Sequence, residues 1–249
     1  MNESFDPSEY LQNAFAAEGI ALDADRNAAF LAYAELLDQK NAVMNLTAIT
    51  DFRDVVHKHF LDSCAPARLA WFPPKGEGAS LIDIGSGAGF PGIPLKILYP
   101  ELQVTLLDSL QKRVNFLNEV IESLGLTGIS AIHARAEDGA RREDLRERFD
   151  IAASRAVAAL PVLAEYCLPY VKPGGSFLAY KGSDAAAEAE GAKKAVRILG
   201  GDAPELAVFT LPGADGETLG RSLVRIRKTA PTPKKYPRKA GTAAKAPLS

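Results

Sequence analysis

Residues 81–95 hold the densest set of positions that could bind a small molecule. The run 81–84, Leu-Ile-Asp-Ile, is too short for a helix and is typical of a buried parallel strand. Glycines then alternate at positions 85, 87 and 89. They let the backbone turn tightly and leave no Cβ between the chain and whatever lies against it. The stretch therefore predicts a strand, a ligand-binding loop and, after the loop, a helix.

Two ligand classes use such a loop, and the frame of the glycines distinguishes them. Gly87, Gly89 and Gly92 match the G-x-G-x-x-G spacing of dinucleotide sites, but this match begins after the chain has already turned at Gly85. The other frame places Asp83 in the strand and continues as G-x-G-x-G, as in S-adenosylmethionine-dependent methyltransferases. A carboxylate suits a ligand that carries a sulfonium and an ammonium group. This frame predicts S-adenosylmethionine as the cofactor.

From residue 81 onward, short apolar strands alternate with helices. Such alternation predicts a mostly parallel, seven-stranded sheet with helices on both faces, the class I (Rossmann-like) α/β fold of these methyltransferases. The predicted strands are 81–84, 103–107, 129–133, 149–153, 175–180, 205–211 and 221–228. The predicted helices are 91–99, 110–124, 158–170 and 184–199. Ligands bind at the carboxyl ends of the strands in such sheets, so the informative side chains should lie there.

Polar or charged residues do follow these strands. Asp108, after the second strand, is expected to accept from ribose hydroxyls, with an N-cap of the next helix as its alternative role. Ala136 and Glu137, after the third strand, offer an adenine ring a backbone N–H and an acceptor. Arg155 and Lys181 follow the fourth and fifth strands, where a buried cation needs an anion. We expect these two cations to meet an anionic ligand.

The first 70 residues are expected to be helical. The expected helices run from Pro7 to Gly19, from a cap at Asp25 onward, and from about 52 to 69, with an irregular stretch at 41–50. His57 and His59 fall on different faces of the third helix, so they do not form a metal pair. Their spacing favours core or surface roles over catalysis.

Charge is distributed unevenly along the chain. There are 29 Lys and Arg and 31 Asp and Glu, yet nine of the basic residues and none of the acidic ones lie beyond Gly220. A basic arm on an acidic body serves polyanions or is simply solvated. Cys64 and Cys167 lack metal-ligand spacing, and the sequence shows neither a membrane-length apolar run nor a signal peptide. We therefore expect a cytoplasmic protein with reduced thiols.

Several strings together resemble the RsmG family, also called glucose-inhibited division protein B. The strings are Asn45-Leu-Thr-Ala-Ile49, His59-Phe-Leu-Asp-Ser63, Asp83-Ile-Gly-Ser-Gly-Ala-Gly-Phe-Pro-Gly-Ile-Pro-Leu95, Leu107-Asp-Ser-Leu-Gln-Lys-Arg113, Ser154-Arg-Ala156 and Lys181-Gly182. The resemblance implies a class I methyltransferase acting on N7 of one guanine in the 16S ribosomal RNA of the small subunit. It also implies cofactor contacts at Gly85, Phe90, Ala136, Glu137 and Arg155.

This chemistry places few demands on the protein. Guanine N7 has a free lone pair and no proton to lose, so no general base is needed, and none is visible in the sequence. We expect catalysis by alignment of N7, methyl carbon and sulfur. Arg155 and Lys181 are the candidate catalytic groups, with Arg155 bound to the cofactor carboxylate or to an RNA phosphate. Three alternatives stay open: a small-molecule methyltransferase, a non-catalytic S-adenosylmethionine-binding module and an NAD-dependent enzyme.

The predicted organisation has three parts: an N-terminal helical extension packed on the core (1–72), a methyltransferase domain (73–230) and a basic C-terminal tail (231–249). The expected cofactor-binding residues are Asp83, Gly85, Gly87, Gly89, Phe90, Asp108, Ala136, Glu137 and Arg155. The expected RNA-binding residues are Lys112, Arg113, Lys181, Lys234, Lys235, Arg238, Lys239 and Lys245. We expect a monomer whose partner is 16S ribosomal RNA within the small subunit or its assembly intermediate, and no metal site.

Overall fold

The structure, a computed structural model, describes residues 5–69, 71–72, 78–182 and 185–248. Seven strands form one sheet in the order β3-β2-β1-β4-β5-β7-β6. The strands are β1 (Ser80–Ile84), β2 (Gln103–Asp108), β3 (Ile129–His133), β4 (Phe149–Arg155), β5 (Val171–Lys181), β6 (Glu205–Pro212) and β7 (Thr218–Arg227). All neighbours pair in parallel except β7, which is antiparallel to both β5 and β6. The predicted class and strand number are confirmed.

The central strands are buried on both faces, which explains their nearly continuous apolar sequence. Leu81 belongs to the hydrophobic core on one face of the sheet, and Ile82 belongs to the core on the other. The helices that cover the two faces are α5 (Gly92–Leu98), α6 (Gln111–Ser123), α7 (Ala136–Gly139), α8 (Leu160–Cys167) and α9 (Ala185–Ile198). Residue 184, where the last of these was predicted to begin, lies outside the described residues.

The N-terminal helices pack on the face that also carries α5 and α6. They are α1 (Pro7–Ala17), α2 (Ala24–Met44), α3 (Phe52–Val55), a π-helical turn (Val56–Leu61) and α4 (Asp62–Cys64). Phe15 packs against Phe30 and Phe30 against Phe60, with tilted rings. Tyr33 joins this cluster to the glycine loop by donating to the carbonyl of Ala88. The N-terminal helices thus share one core with the sheet. The predicted boundary after residue 72 meets residues 73–77, which lie outside the described part of the chain.

Two details of the predicted helices are corrected. The N-cap of α2 is Asp23 and not Asp25, because Asp23 has extended backbone angles and its carboxylate accepts from the Arg26 N–H at 2.8 Å. Asp25 lies inside the first turn. The helix also continues to Met44, so only the residues after it are irregular. Within the described ranges, no helix has the length and hydrophobicity that a membrane span requires.

The C-terminal residues fold back along α8. Lys228, which follows β7, is buried and donates to the carbonyl of Leu168 and the hydroxyl of Thr232, at 2.7 Å each. Tyr236 and Ala243 are buried, and a short helix, α10 (Thr242–Lys245), lies close to the carboxyl edge of the sheet. Residues 231–248 therefore pack on the body.

Candidate cofactor and acceptor site

The site lies at the carboxyl edge of the sheet, where the glycine loop leaves β1. Asp108, Arg155 and Lys181 are the last residues of β2, β4 and β5, so parallel pairing brings them to the same edge. The sequence placed them just beyond these strands. In the structure each strand extends by one or two residues and ends on the charged side chain itself.

The glycine loop has the backbone that its sequence predicts. Gly85 and Gly89 have φ angles of 74° and 104°, in a region that residues with a Cβ rarely adopt. A Cβ on Gly85 would lie 2.7 Å from the Val157 side chain, and one on Gly89 would lie 2.5 Å from Ile93. The loop therefore depends on both glycines for its conformation and for its close contacts.

Asp83, a predicted cofactor ligand, lines none of the three cavities described below, and a cofactor contact for it stays a prediction. The side chain is fully buried beneath the loop, and its Oδ2 accepts from the N–H of Gly92 at 2.9 Å. Burial raises the pKa of this carboxyl to about 7. Asp83 joins β1 to the first turn of α5 and positions the loop from below.

Asp108 supports the same loop from β2. Its Oδ2 accepts from the N–H of Gly87 and its Oδ1 from the N–H of Leu110, each at 2.9 Å. Helix α6 begins at Gln111 with no side-chain cap, so the alternative role as its N-cap is not realised. Arg113 extends towards this carboxylate, with 3.5 Å between Nη1 and Oδ2. A ribose contact for Asp108 stays a prediction.

Two adjoining cavities run along this edge. The first, of about 320 Å³, is lined by Leu107, Ala136, Glu137 and Tyr166, among others. The second, of about 400 Å³, is lined by Gly87, Phe90, Asp108 and Arg155, among others. Both include Gly85, Ser109 and Val157. Their volumes lie in the ~300–1,000 Å³ range of small-molecule sites, and a side chain at Gly85 would obstruct the passage between them.

A third cavity, of about 440 Å³, adjoins the second on the side of β5. It shares His59, Arg155 and Ala156 with the second cavity and adds the cationic residues Lys58, Lys181 and Arg221. Ala156 has a φ of 57°, a backbone conformation that is uncommon for a residue with a Cβ. A molecule in the third cavity would meet a cofactor in the second at these shared residues.

Arg155 contacts several side chains of the site. Its Nη1 lies 2.8 Å from Oδ2 of Asp62, and its guanidinium carbon lies 4.9 Å from the centre of the Phe90 ring. The other oxygen of Asp62 accepts from Nε of Arg221 at 2.9 Å. One buried carboxylate from the N-terminal helices therefore holds two arginines from the sheet.

His59 also belongs to the site, although sequence periodicity assigned it a core or surface role. Its ring stacks on Phe90 with 4.4 Å between centroids. Arg155 Nη2 lies 3.2 Å from Nδ1. Because a guanidinium can only donate, Nδ1 accepts and Nε2 carries the proton, which it donates to Oγ1 of Thr47 at 2.8 Å. Burial and the Arg155 charge lower the pKa of His59 to about 3, so the ring is neutral.

His57 and His59 therefore lie in different environments. His57 is buried against α1 and hydrogen-bonds the hydroxyl of Tyr10 at 2.8 Å, the core role that was expected of it. The π-helical turn brings His59 to the cavity side of the same element. The only sequence signal for His59 was its place in the string His59-Phe-Leu-Asp-Ser63, which also contains Asp62.

Lys181 is anchored within the protein. Its Nζ donates to the carbonyl of Ala158 and to Oε2 of Glu188, at 2.7 Å each. The same Glu188 oxygen accepts from the N–H of Leu160. Lys181 therefore ties the loop after β4 to α9 while lining the third cavity.

The predicted RNA-binding residues differ in exposure, and Arg113 and Lys181 are the partly buried members whose contacts are given above. The Arg238 guanidinium is bound to both oxygens of the buried Glu165 on α8, and an RNA contact for it stays a prediction. The exposed members are Lys112, Lys234, Lys235, Lys239 and Lys245. They stay predictions.

Comparisons with known proteins agree with this geometry. The family model described as rRNA small subunit methyltransferase G matches residues 26–212. A "Ribosomal RNA small subunit methyltransferase G" from Acetivibrio thermocellus is 50% identical over 231 residues, which cover 93% of this chain and 92% of that protein. The protein of the same name from Lachnoclostridium phytofermentans is 49% identical over 243 residues, 98% of each chain.

Solved structures support the fold alone. A predicted O-methyltransferase from Agrobacterium tumefaciens matches with a TM-score of 0.53 at 18% identity, over 70% of this chain and 81% of that one. The geranyl diphosphate C-methyltransferase from Streptomyces coelicolor, solved with S-adenosyl-L-homocysteine, matches with a TM-score of 0.50 at 12% identity, over 68% and 80%. The family match and the two close relatives cover most of the sequence. The chain therefore belongs to the rRNA small subunit methyltransferase G family.

Proposed function

We propose that this chain transfers the methyl group of S-adenosylmethionine to N7 of a guanine in the 16S RNA of the small ribosomal subunit. Family membership supports methyl transfer to this RNA. The choice of N7 depends on one structural observation: at the junction of the second and third cavities, the groups able to take a proton are already bound to arginines. A ring nitrogen with a free lone pair is the nucleophile that this junction suits.

The engaged bases are His59 and Asp62. Nδ1 of His59 faces the Arg155 guanidinium, and both oxygens of Asp62 accept from Arg155 and Arg221. The hydroxyl of Tyr180 donates to the carbonyl of Ser63. Methylation of an amino or hydroxyl group needs a proton acceptor, whereas N7 loses no proton. Among the described residues that line the third cavity, these are the groups that would otherwise serve.

The residues expected to hold the cofactor fit its chemistry. Bound S-adenosylmethionine supplies an electrophilic methyl group on a sulfonium. Ala136, Glu137 and the apolar wall of the first cavity suit an adenine ring, while Asp108 lines the second cavity next to Ser109, which both cavities share. Arg155 offers a guanidinium to a carboxylate in the second cavity. The protein's own contribution is orientation, since holding two reactants in line can supply on the order of 7–11 kcal/mol of the barrier.

The third cavity is proposed to receive the target nucleotide. Its cations Lys58, Arg155, Lys181 and Arg221 come from the N-terminal helices and from three strands, and they surround a space open to solvent. Cations in this arrangement position phosphates. The exposed lysines of the C-terminal residues would add sequence-independent attraction for RNA. We also propose a monomer that acts in the cytoplasm on the subunit or its assembly intermediate.

The test is incubation of the purified protein with methyl-labelled S-adenosylmethionine and small subunits from cells that lack this gene. Naked 16S RNA and guanosine serve as control acceptors, and the product is digested to nucleosides. Label in 7-methylguanosine is the expected result. The amount of label in subunits relative to naked 16S RNA shows which of the two acceptors the protein recognises. Label in another nucleoside, or in small metabolites alone, would contradict the proposal. Cofactor binding without transfer to any acceptor would favour a non-catalytic module.

A further inference from the structure

The C-terminal segment, residues 236–246, lies beyond the part of the chain that the family model matches, yet it lines the first cavity. Its start is fixed by two arginines on the body. Nη1 of Arg146 donates to the carbonyl of Tyr236 at 2.9 Å, and Nη2 of Arg141 donates to the carbonyl of Pro237 at 2.6 Å. The segment is therefore held by contacts with the body, which an arm displayed only for solvent would not need.

A buried ion pair fixes the middle of the segment. Glu165 on α8 is only 1% exposed, and its Oε1 accepts from the backbone N–H of Arg238 at 2.7 Å. The Arg238 guanidinium donates to both Glu165 oxygens, and its Nη2 also donates to the carbonyl of Ala246 at 2.9 Å. One side chain thus fastens the segment to α8 and closes the turn between its two ends.

That turn brings the segment into the first cavity. Gly241, with a φ of 78°, donates its N–H to Oε1 of Glu137 at 2.8 Å. Gly241 and Ala244 line the cavity together with Ala136, Glu137 and Tyr166. Glu137 is 5% exposed, and a hydrogen bond to its carboxylate is stronger than one to a neutral acceptor.

We propose that the C-terminal segment forms one wall of the cofactor site and binds the adenosine portion of S-adenosylmethionine jointly with Glu137. The inference depends on the cofactor assignment made above and adds a role for residues outside the matched family region. Detachment of the segment would open the first cavity to water and leave Glu137 without its partner. The same segment carries exposed lysines, so it would contact RNA through these side chains and line the cofactor site through its backbone.

The first test uses the wild-type protein. Hydrogen–deuterium exchange is measured with and without S-adenosylhomocysteine, a ligand that cannot react. Slower exchange at the amides of 241–246, with no change at the β6–β7 turn, is the expected result. Unchanged exchange at 241–246 in the ligand-saturated protein would overturn the inference and leave the cofactor assignment intact. If calorimetry detects no binding of this ligand to the wild type, the cofactor assignment itself fails.

The second test releases the segment. Arg238→Ala breaks the pair with Glu165, and Arg197→Ala, an exposed arginine on the neighbouring helix α9, is the matched control. Calorimetry is expected to show S-adenosylhomocysteine bound at least tenfold more weakly by Arg238→Ala and within twofold of wild type by Arg197→Ala. Wild-type affinity in a folded Arg238→Ala protein whose segment exchanges freely would overturn the inference. Ala244→Trp, which leaves the ion pair intact, should also weaken binding.

Discussion

The Asp62 carboxylate lies 2.8 Å from the Arg155 guanidinium, so a residue of the N-terminal helices positions the cation at the end of β4. The same carboxylate binds Arg221 of β7. This contact makes the N-terminal helices part of the active region, because the cation that faces both the second and the third cavity takes its orientation from them.

Replacing Asp62 should therefore impair catalysis at a distance. Asp62→Asn keeps the size of the side chain but removes the charge shared by two arginines. We expect kcat/KM for methyl transfer to fall roughly 10²-fold, the scale of a small misplacement of a positioning group. The free energy of unfolding should fall by about 2–5 kcal/mol. Asp25→Asn, an exposed change on α2, should leave both quantities unchanged; equal activity of the two variants would contradict the positioning role.

Arg155 should be required for turnover but not for folding. Arg155→Ala removes the group that contacts Asp62, His59 and Phe90 at the junction of the two cavities. We expect at least a 10²-fold loss of methyl transfer with the sheet intact by circular dichroism. Arg155→Lys should recover little activity, because an ammonium cannot bridge the same partners. Wild-type turnover in either variant would remove Arg155 from the mechanism.

Asp83 should make stability depend on pH in a recognisable direction. Its pKa is raised to about 7 in the folded protein, against an ordinary value of 3.8. The folded state therefore binds a proton more tightly than the unfolded state, and this group's contribution is lost as pH rises between about 4 and 7. The free energy of unfolding in urea is measured for wild type and for Asp83→Asn at each pH. The difference, wild type minus variant, should fall over that window by at most ~1.4 kcal/mol per pH unit. A difference independent of pH would contradict the buried, shifted carboxyl.

The contribution of His59 to stability should depend on pH in the opposite direction. Burial and Arg155 lower its pKa to about 3, so between pH 3 and its ordinary 6.5 the unfolded state binds more protons. Its contribution to stability is present above pH 6.5 and lost as pH falls towards 3. Wild type should lose more unfolding free energy than His59→Asn when the pH drops from 7 to 5. His57→Asn should show a difference in the same direction, because burial also lowers the pKa of His57. Equal losses in wild type and His59→Asn would contradict the neutral, buried His59 ring.

RNA binding should depend on salt through the exposed lysines. The four near the C-terminus are Lys234, Lys235, Lys239 and Lys245. The slope of log affinity against log salt concentration changes by about 0.7–0.9 for each phosphate that a lysine neutralises. If each of the four neutralises one phosphate, replacing all four by Gln should reduce the steepness of that slope by about 3. A double Gln variant of Lys193 and Lys194, which are exposed on α9, should leave the slope unchanged. An unaltered slope in the fourfold variant would exclude these lysines from the RNA contact.

Local patterns determined much of the site. Alternating glycines after a four-residue apolar run specify a strand and a tight turn whatever surrounds them, which is why Gly85 and its neighbours were predictable. Charged residues at strand ends were predictable too, because parallel strands present their carboxyl ends at one edge. Asp108, Arg155 and Lys181 lie there as expected. The same logic does not fix the role of Asp83, since a carboxylate within a strand has the same sequence whether it faces a ligand or the underside of a loop.

Sequence alone determined the fold class, the glycine loop and the residues at the carboxyl edge, because periodicity and backbone preference act over a few residues. The tertiary structure decided which distant residues meet. Asp62 and Arg221 are separated by 159 positions, and Glu137 and Gly241 by 104. No local pattern encodes such pairs, since packing of the helices on the sheet selects them. Likewise, a basic segment has the same sequence whether it is solvated or folded back on the body. The position of Arg238 became known only from its ion pair with the buried Glu165.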